Sequence, residues 1–248
     1  MSQSSMVTRQ WWANESNYTK GRTDTIHGIV IHHAASTSLD SVGQVFSQYG
    51  RGGSAHYGVK GKQVHQYVRE EDTAWHCGDW PGNCCTIGIE TVNSSGAPDW
   101  LIDEETFNTL ARLCADIAKR NGLGRVKFGP NDVYPTLSAH RDWSPTYCPG
   151  DYLYNRMEEL ANKINEINYP TKVDLVWTKL DNPTAYITVR NTHLYNFNKA
   201  NANGLTAIKE YAKDTEIGIY GKVENKTIGK TFLLTEYSFT QKITNGFK

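Results

Sequence analysis

Hydrophobic positions in the first two thirds of the chain alternate between apolar runs of strand length and stretches with a period near 3.6. Residues 26–33 form a β-branched run ending in His32 and His33, which predicts a buried strand. After Ser38, an acceptable N-cap, Val42, Val45 and Phe46 fall at helical spacing and predict a helix over 39–49. Residues 57–59 and 64–68 read as a hairpin turning through Gly61-Lys62, and 86–92 as a second buried strand. A longer helix is predicted over 103–121, where Phe107, Leu110, Cys114, Ile117 and Ala118 make one stripe. Asp103 can cap it, with Glu105 and Thr106 in the first turn, and Gly122 stops it. A last helix, 151–167, sets Tyr154, Met157, Leu160, Ile164 and Ile167 on one side. Strands interleaved with covering helices imply an α/β domain with a mixed central sheet flanked by helices.

Around residues 168–171 the pattern changes. Pro170 disfavours helix in the residue before it, and short alternating runs follow at 173–177, 185–190, 194–197, 216–223 and 231–237, with a short helical turn expected at 205–212. Such spacing predicts a small all-β barrel. The expected division is a first domain over 1–168, a linker at 169–172 and a second domain over 173–248.

Composition narrows the class. The chain has 248 residues, 38% of them hydrophobic, enough for an ordinary core. No segment approaches ~20 consecutive apolar residues, so no membrane span is expected. Residues 1–6 have neither a basic cluster nor an apolar core, so no secretory signal is expected and the product starts in the cytoplasm. With 26 basic and 26 acidic residues, charge offers no reason to expect nucleic acid as a partner. Residues 1–169 carry 15 basic against 19 acidic side chains, and 170–248 carry 11 against 7, so a mildly basic tail could tolerate an anionic surface. Five cysteines are an odd number and do not look like a disulfide framework. Cys114 reads as a small buried hydrophobe. Cys77, Cys84 and Cys85 read as structural, with a second metal site or an oxidation-prone pair as the alternative.

Candidate chemistry concentrates in the stretch His140-Arg141-Asp142-Trp143-Ser144-Pro145-Thr146-Tyr147-Cys148-Pro149-Gly150, which sets an imidazole and a thiolate eight positions apart on a turn-rich loop. A histidine from the 28–33 run would complete a set of two imidazoles and one thiolate. That set leaves one tetrahedral position of a zinc ion open, the mark of a catalytic site. Strand alternation points His32 and His33 to opposite faces, but both faces of this run are apolar, so the residues alone do not choose between them. Glu90 closes the run Thr86-Ile87-Gly88-Ile89 and shares a face with Gly88 and Val92. Their small or apolar side chains would desolvate it and raise its pKa toward that of a proton shuttle. His76, Trp75 and Trp143 are candidates for a substrate groove, and His56 and Trp80 stand near it. For the histidines a structural role weighs at least as much.

Five blocks in order, Ile29 to His33, Ser54-Ala55-His56-Tyr57-Gly58-Val59, Ala74-Trp75-His76-Cys77-Gly78-Asp79, Thr86 to Glu90 and His140 to Gly150, resemble the zinc-dependent N-acetylmuramoyl-L-alanine amidases. These share a fold with phage T7 lysozyme and the peptidoglycan recognition proteins. The likeness runs roughly over 26–167. It implies Zn2+ held by His32, His140 and Cys148, with Glu90 as the catalytic acid/base. Two departures accompany it: the T7-like branch has a tyrosine where this chain has Ala55 and a lysine where it has Thr146. Thr146 occurs in recognition-protein amidases and could hydrogen-bond a developing oxyanion, more weakly than an ammonium.

The resemblance implies a peptidoglycan hydrolase that cuts the amide between N-acetylmuramic acid and L-alanine. A non-catalytic recognition module typically lacks the thiolate, and an autolysin would need an export signal. A phage endolysin is therefore expected, held in the host cytoplasm until lysis and then acting on the wall. The runs Tyr-Ile-Thr-Val-Arg and Phe-Leu-Leu-Thr-Glu-Tyr of the second domain look similar to bacterial SH3-like wall-binding modules.

Overall fold

A computed structural model describes residues 3–130 and 132–170, together with strand segments from 175 to 246. Two units divide the chain, Met1–Pro170 and Thr171–Lys248.

The first unit runs β1 (Arg9–Gln10), β2 (Tyr18–Thr19), β3 (Gly28–His33), α1 (Leu39–Phe46), β4 (Tyr57–Lys60), β5 (Gln63–Gln66), β6 (Thr73–Ala74), α2 (Trp80–Cys85), β7 (Thr86–Thr91), α3 (Glu104–Arg120), β8 (Leu137–Ala139), α4 (Asp151–Tyr154) and α5 (Met157–Asn168). Its sheet has the order β1-β5-β4-β7-β3-β8. The β4–β5 hairpin is antiparallel, while β4, β7, β3 and β8 run parallel, so the sheet is mixed as expected.

Alternation along these strands builds two different faces. Ile29 and Ile31 of β3, Ile87 and Ile89 of β7, Tyr57 and Val59 of β4 and Leu137 of β8 are fully buried in one core with Phe107, Leu110, Leu113 and Ile117 of α3 and Met157, Leu160 and Ile164 of α5. Each such side chain contributes on the order of 1.5–3 kcal/mol by leaving water. Because residues 29 and 31 face the helices, His32 faces away from them. A smaller cluster, Leu39, Val42 and Phe46 of α1 with Tyr67, Val68 and Val92, packs apart from this core.

Local signals account for the helix ends. The Asp103 carboxylate accepts from the Thr106 N–H and caps α3, and Gly122 turns the chain out of it at φ +67°. Ser38 accepts from the Ser41 N–H and caps α1, which ends at Phe46 rather than at residue 49. The expected 151–167 helix is instead two, α4 and α5. At the break, Arg156 turns its guanidinium to Glu104, 2.7 Å away, and over the Phe107 ring of α3 at 3.8 Å. Helix α2 and strand β8 lie outside the predicted elements. Asp79 caps α2 through the Gly82 N–H, and Pro81 occupies its first turn, where no N–H is needed.

Two charged groups, one buried and one half-buried, lock the layers together. Glu70, 4% exposed, receives both terminal nitrogens of Arg120 at 2.7 Å and the Tyr57 hydroxyl at 2.7 Å. Arg22 donates to the carbonyls of Glu70, Asn83, Cys84 and Thr86, closing the C-terminal end of α2 against β7. The four other cysteines are buried free thiols. Cys77 donates to the Asp79 carbonyl and the Asn83 carboxamide, Cys85 is near the Gly82 carbonyl, and Cys114 lies in the main core. Among the described residues they form no second metal cluster.

The second unit is described by its backbone pairing alone. Strands β9 (Leu175–Lys179), β10 (Ala185–Val189), β11 (Thr192–Asn196), β12 (Thr206–Tyr211), β13 (Thr215–Asn225), β14 (Lys230–Thr235) and β15 (Thr244–Gly246) pair antiparallel throughout. The helical turn expected at 205–212 is corrected: Thr206–Tyr211 pairs with β11. Leu205, Ile208 and Ala212 fit a helical spacing, but a run this short fits either period, and pairing with β11 selects the strand.

The Glu70–Arg120 lock makes a checkable prediction. Arg120→Ala strands a buried carboxylate, and the first unit should lose about 3 kcal/mol of stability in urea unfolding followed by tryptophan fluorescence. A loss under about 1 kcal/mol would show that the pair contributes no more than a solvent-exposed ion pair.

Candidate functional site

Register in the sheet brings the chemistry together. Strands β3 and β7 pair in parallel with His32 opposite Glu90, and β4 sets Gly58 opposite Glu90 on its other side. One row across the sheet therefore carries Gly58, Glu90 and His32 on the face away from α3. Strand β8 pairs Ala139 with Ile31, so the chain delivers His140 beside His32. Their rings lie 4.6 Å apart.

The loop after β8 is fastened so that its second donor returns to the same point. The Asp142 carboxylate accepts from the Ala139 N–H at 2.7 Å and from the Tyr154 hydroxyl at 2.9 Å. The Arg141 N–H donates to the Cys148 carbonyl, and its guanidinium to the Tyr147 carbonyl and Asp151. Cys148 Sγ thereby comes within 3.7 Å of His32 Nδ1 and accepts from the His33 N–H at 3.4 Å. Ligand atoms of His32, His140 and Cys148 all lie within 4.8 Å of one another. Two imidazoles and a thiol at this separation can converge on one borderline-soft divalent ion and leave a tetrahedral corner open. His33 does not join them. Its ring stands edge-on to Trp100, and its main chain steers the thiol.

Electrostatics suit such an ion. Burial, reinforced by the neighbouring His76 and His140, holds His32 well below the ordinary imidazole range, and burial lowers His140 too. Both rings are thus neutral and able to ligate. Burial and the nearby Glu90 push the Cys148 thiol up. Metal capture there must displace its proton, so affinity for the ion rises with pH.

Glu90 sits on the floor of a cleft of about 860 Å³ that also exposes the three donors. Its Oε2 is shielded and has no hydrogen-bond partner. Burial raises its pKa to about 8, with the Arg51 cation at the cleft wall opposing the shift. Thr146 lines the same cleft, and its hydroxyl oxygen accepts the Cys148 N–H at 3.2 Å, which leaves the hydroxyl hydrogen available to the cleft. Ala55 is wholly buried in the smaller cluster, and among the described residues no tyrosine takes its place in the cleft except Tyr147 at the exposed rim.

The groove candidates separate. Trp75 lines the cleft, anchored by its indole N–H to Thr19. His76 reaches the cleft but is 8% exposed and abuts His32. Trp143 lies outside the cleft lining, donating to Ser138 and packing where any side chain at Gly82 would have to go. His56 is buried and accepts the Gly88 N–H, a structural role. Arg51, Asn83 and Tyr147 were not singled out from sequence. Arg51 and Tyr147 carried no signal beyond their Gly and Pro neighbours, and Asn83 is recognisable only through the hydrogen bonds that α2 permits.

Residues 22–151, which include the whole donor set and Glu90, match the model of the N-acetylmuramoyl-L-alanine amidase family. The chain belongs to that family. Among curated members, N-acetylmuramoyl-L-alanine amidase XlyB of Bacillus subtilis (strain 168) is 30% identical over 128 residues, covering 49% of this chain and 36% of its own length. CwlL of Bacillus licheniformis, an amidase of the same name, is 25% identical over 144 residues, covering 52% and 37%. The match thus spans little more than a third of these relatives. Among solved structures, PlyL superposes with a TM-score of 0.50 at 23% identity, covering 63% of this chain and 95% of that one. The catalytic domain of XlyA gives 0.51 at 19%, covering 64% and 99%. Staphylococcus aureus hydrolase AmiA, solved with its ligand, gives 0.53 at 18%, covering 64% and 83%. At these identities the likeness is one of fold, the amidase α/β sheet with its flanking helices.

The raised carboxyl of this cleft has a measurable cost. In metal-free protein the unfolded chain loses the Glu90 proton near 4.5 while the folded chain keeps it to about 8, so stability falls as pH rises through that window. Glu90→Gln should abolish the decline and exceed the parent by about 2 kcal/mol at pH 8, after discounting for partial exposure. Equal stability of the two proteins in chelator at pH 8 would contradict the burial of this carboxylate.

Proposed function

We propose that this chain is a zinc-dependent peptidoglycan hydrolase of the endolysin type that cleaves the amide between N-acetylmuramic acid and L-alanine of the stem peptide. The observation that carries the proposal is the convergence of His32, His140 and Cys148 beside Glu90 on the floor of one cleft. Family membership narrows the bond, and the donor set favours zinc over harder cations.

Zinc held by His32, His140 and Cys148 would supply Lewis acidity, polarising the scissile carbonyl and making water nucleophilic near neutral pH. The remaining work falls to the protein. Glu90 takes a proton from the attacking water and returns it to the leaving amine, a task suited to a carboxylate raised to about 8 in a partly desolvated site. Thr146 donates its free hydrogen to the carbonyl oxygen as charge develops there. Without a tyrosine at position 55, Glu90 is the indispensable proton carrier. The partly buried Trp75 and the exposed Tyr147 offer flat faces at the cleft for the glycan or stem peptide.

The second unit we assign to wall attachment, as an SH3-like module that retains the enzyme on an anionic wall polymer. Its support is the antiparallel pairing of short strands and the basic balance of residues 170–248. The cellular setting we propose is a phage product that stays in the host cytoplasm until lysis releases it onto the wall.

Digestion of purified Gram-positive walls, with mass analysis of the products, should release free stem peptides and leave the glycan backbone intact, and chelator should stop it. Glycan fragments as the main product would refute the assigned bond. Cys148→Ser should lose both metal and lysis, while Glu90→Ala should keep its metal and lose at least about 100-fold in turnover. Near-normal digestion by Glu90→Ala would remove that residue from the mechanism. A chain ended after Pro170 should cleave soluble muropeptides as the parent does but fail to sediment with intact walls. Undiminished sedimentation would refute the assignment of the second unit.

A further inference from the structure

Behind His32, on the side away from Cys148, stands the ring of His76. His32 presents Nδ1 to Cys148 Sγ at 3.7 Å, while its Nε2 meets His76 Nδ1 at 3.2 Å. His76 Nε2 in turn lies 3.2 Å from the Thr86 hydroxyl oxygen, and that hydroxyl is 2.6 Å from the Gly82 carbonyl. Two facing ring nitrogens share one proton, and their separation does not tell which ring carries it.

The far end of the chain of contacts decides. A carbonyl only accepts, so the single hydroxyl hydrogen of Thr86 is engaged by Gly82. The Thr86 oxygen then accepts from His76, which places a proton on His76 Nε2. Both rings are buried, and among the described residues no carboxylate hydrogen-bonds either, so each carries one proton. His76 therefore offers a lone pair at Nδ1 and accepts from His32 Nε2–H. The remaining nitrogen of His32, Nδ1, is left bare on the side of Cys148 and His140.

The surroundings are shaped for this arrangement. The Asn83 carboxamide oxygen accepts the N–H groups of His76 at 2.9 Å and Cys77 at 3.0 Å, fixing the backbone that carries the ring. Gly88 lies directly beneath the ring, and a Cβ there would come within 2.5 Å of it. Helix α2 supplies both Asn83 and the Gly82 carbonyl.

We propose that Thr86 and His76 form a positioning relay that holds His32 as its Nε2–H tautomer and so presents Nδ1 to the metal. The proposal rests on the metal-centre reading of His32, His140 and Cys148, and its test separates the two. Zinc affinity is measured by competition with a chromophoric chelator, and nitrogen-15 NMR of the histidine rings reports tautomers in the metal-free full-length chain. The parent should bind one zinc and show His32 protonated at Nε2. Thr86→Val and His76→Phe should weaken zinc binding about 10- to 100-fold, and the Thr86→Val spectrum should show His32 redistributed between tautomers. Thr86→Ser, which restores the hydroxyl, should recover the parent affinity and spectrum.

Parent-like zinc affinity in Thr86→Val together with an unchanged His32 tautomer would overturn the relay, and so would a parent His32 protonated at Nδ1. Should His76→Phe fail to fold, the Thr86→Val and Thr86→Ser pair decides the matter alone. A parent that binds no zinc while its His32 is protonated at Nε2 would sink the metal-centre reading and leave the tautomer assignment standing.

Discussion

The parallel, in-register pairing of β3 with β7 is the constraint on which the site depends. It sets His32 against Glu90 with no freedom beyond side-chain rotation, because a slip of one residue would exchange the whole apolar set of a strand for its other face. That slip is blocked by Ile29, Ile31, Ile87 and Ile89, all fully buried against α3 and α5. The hydrophobic core thus places the candidate site groups without touching them. Rigidity of this kind is what a metal centre and a proton carrier need, since both lose function when displaced by an ångström.

Polar groups on the opposite face are held in low-dielectric surroundings, and their behaviour follows from that. A carboxylate with a shielded oxygen keeps its proton to unusual pH, imidazoles stay neutral, and a thiol stays protonated until an ion displaces the proton. The folded chain therefore carries an electrostatic cost at its site, which an opposite charge placed among the donors would relieve. Short helix α2 contributes to this arrangement from behind. It fastens His76 through Asn83, and Arg22 fastens α2.

Much of this was legible in the sequence, for identifiable reasons. The strands at 28–33 and 86–91 stand out as β-branched runs, and α3 announces itself by stripe, Asp103 cap and Gly122 stop. The 140–150 segment reveals its donors through spacing and turn residues. His32 and His33 could not be told apart by alternation, because Val30 is as apolar as its neighbours; only the packing of α3 and α5 shows which face is which. Helix α2 was hidden because Pro81 and Gly82 suggest a loop, although Asp79 and Pro81 fit a helix start. The turn at 155–156 contains neither glycine nor proline and arises from tertiary contacts of Arg156. Trp143 shows the limit of reading aromatics from composition, since its ring fills the space that Gly82 leaves rather than facing the cleft.

The buried free cysteines have a consequence of a different kind. Cys77 and Cys114 are shut away from solvent, and burial holds their thiols in the protonated, unreactive form. Cohesion of the first unit comes from packing and from the Glu70–Arg120 lock, with no sulfur–sulfur crosslink among its described residues. The fold of the first unit is therefore held without a bond that a reductant could cut, whereas Cys148, which lines the cleft, stays within reach of oxidants.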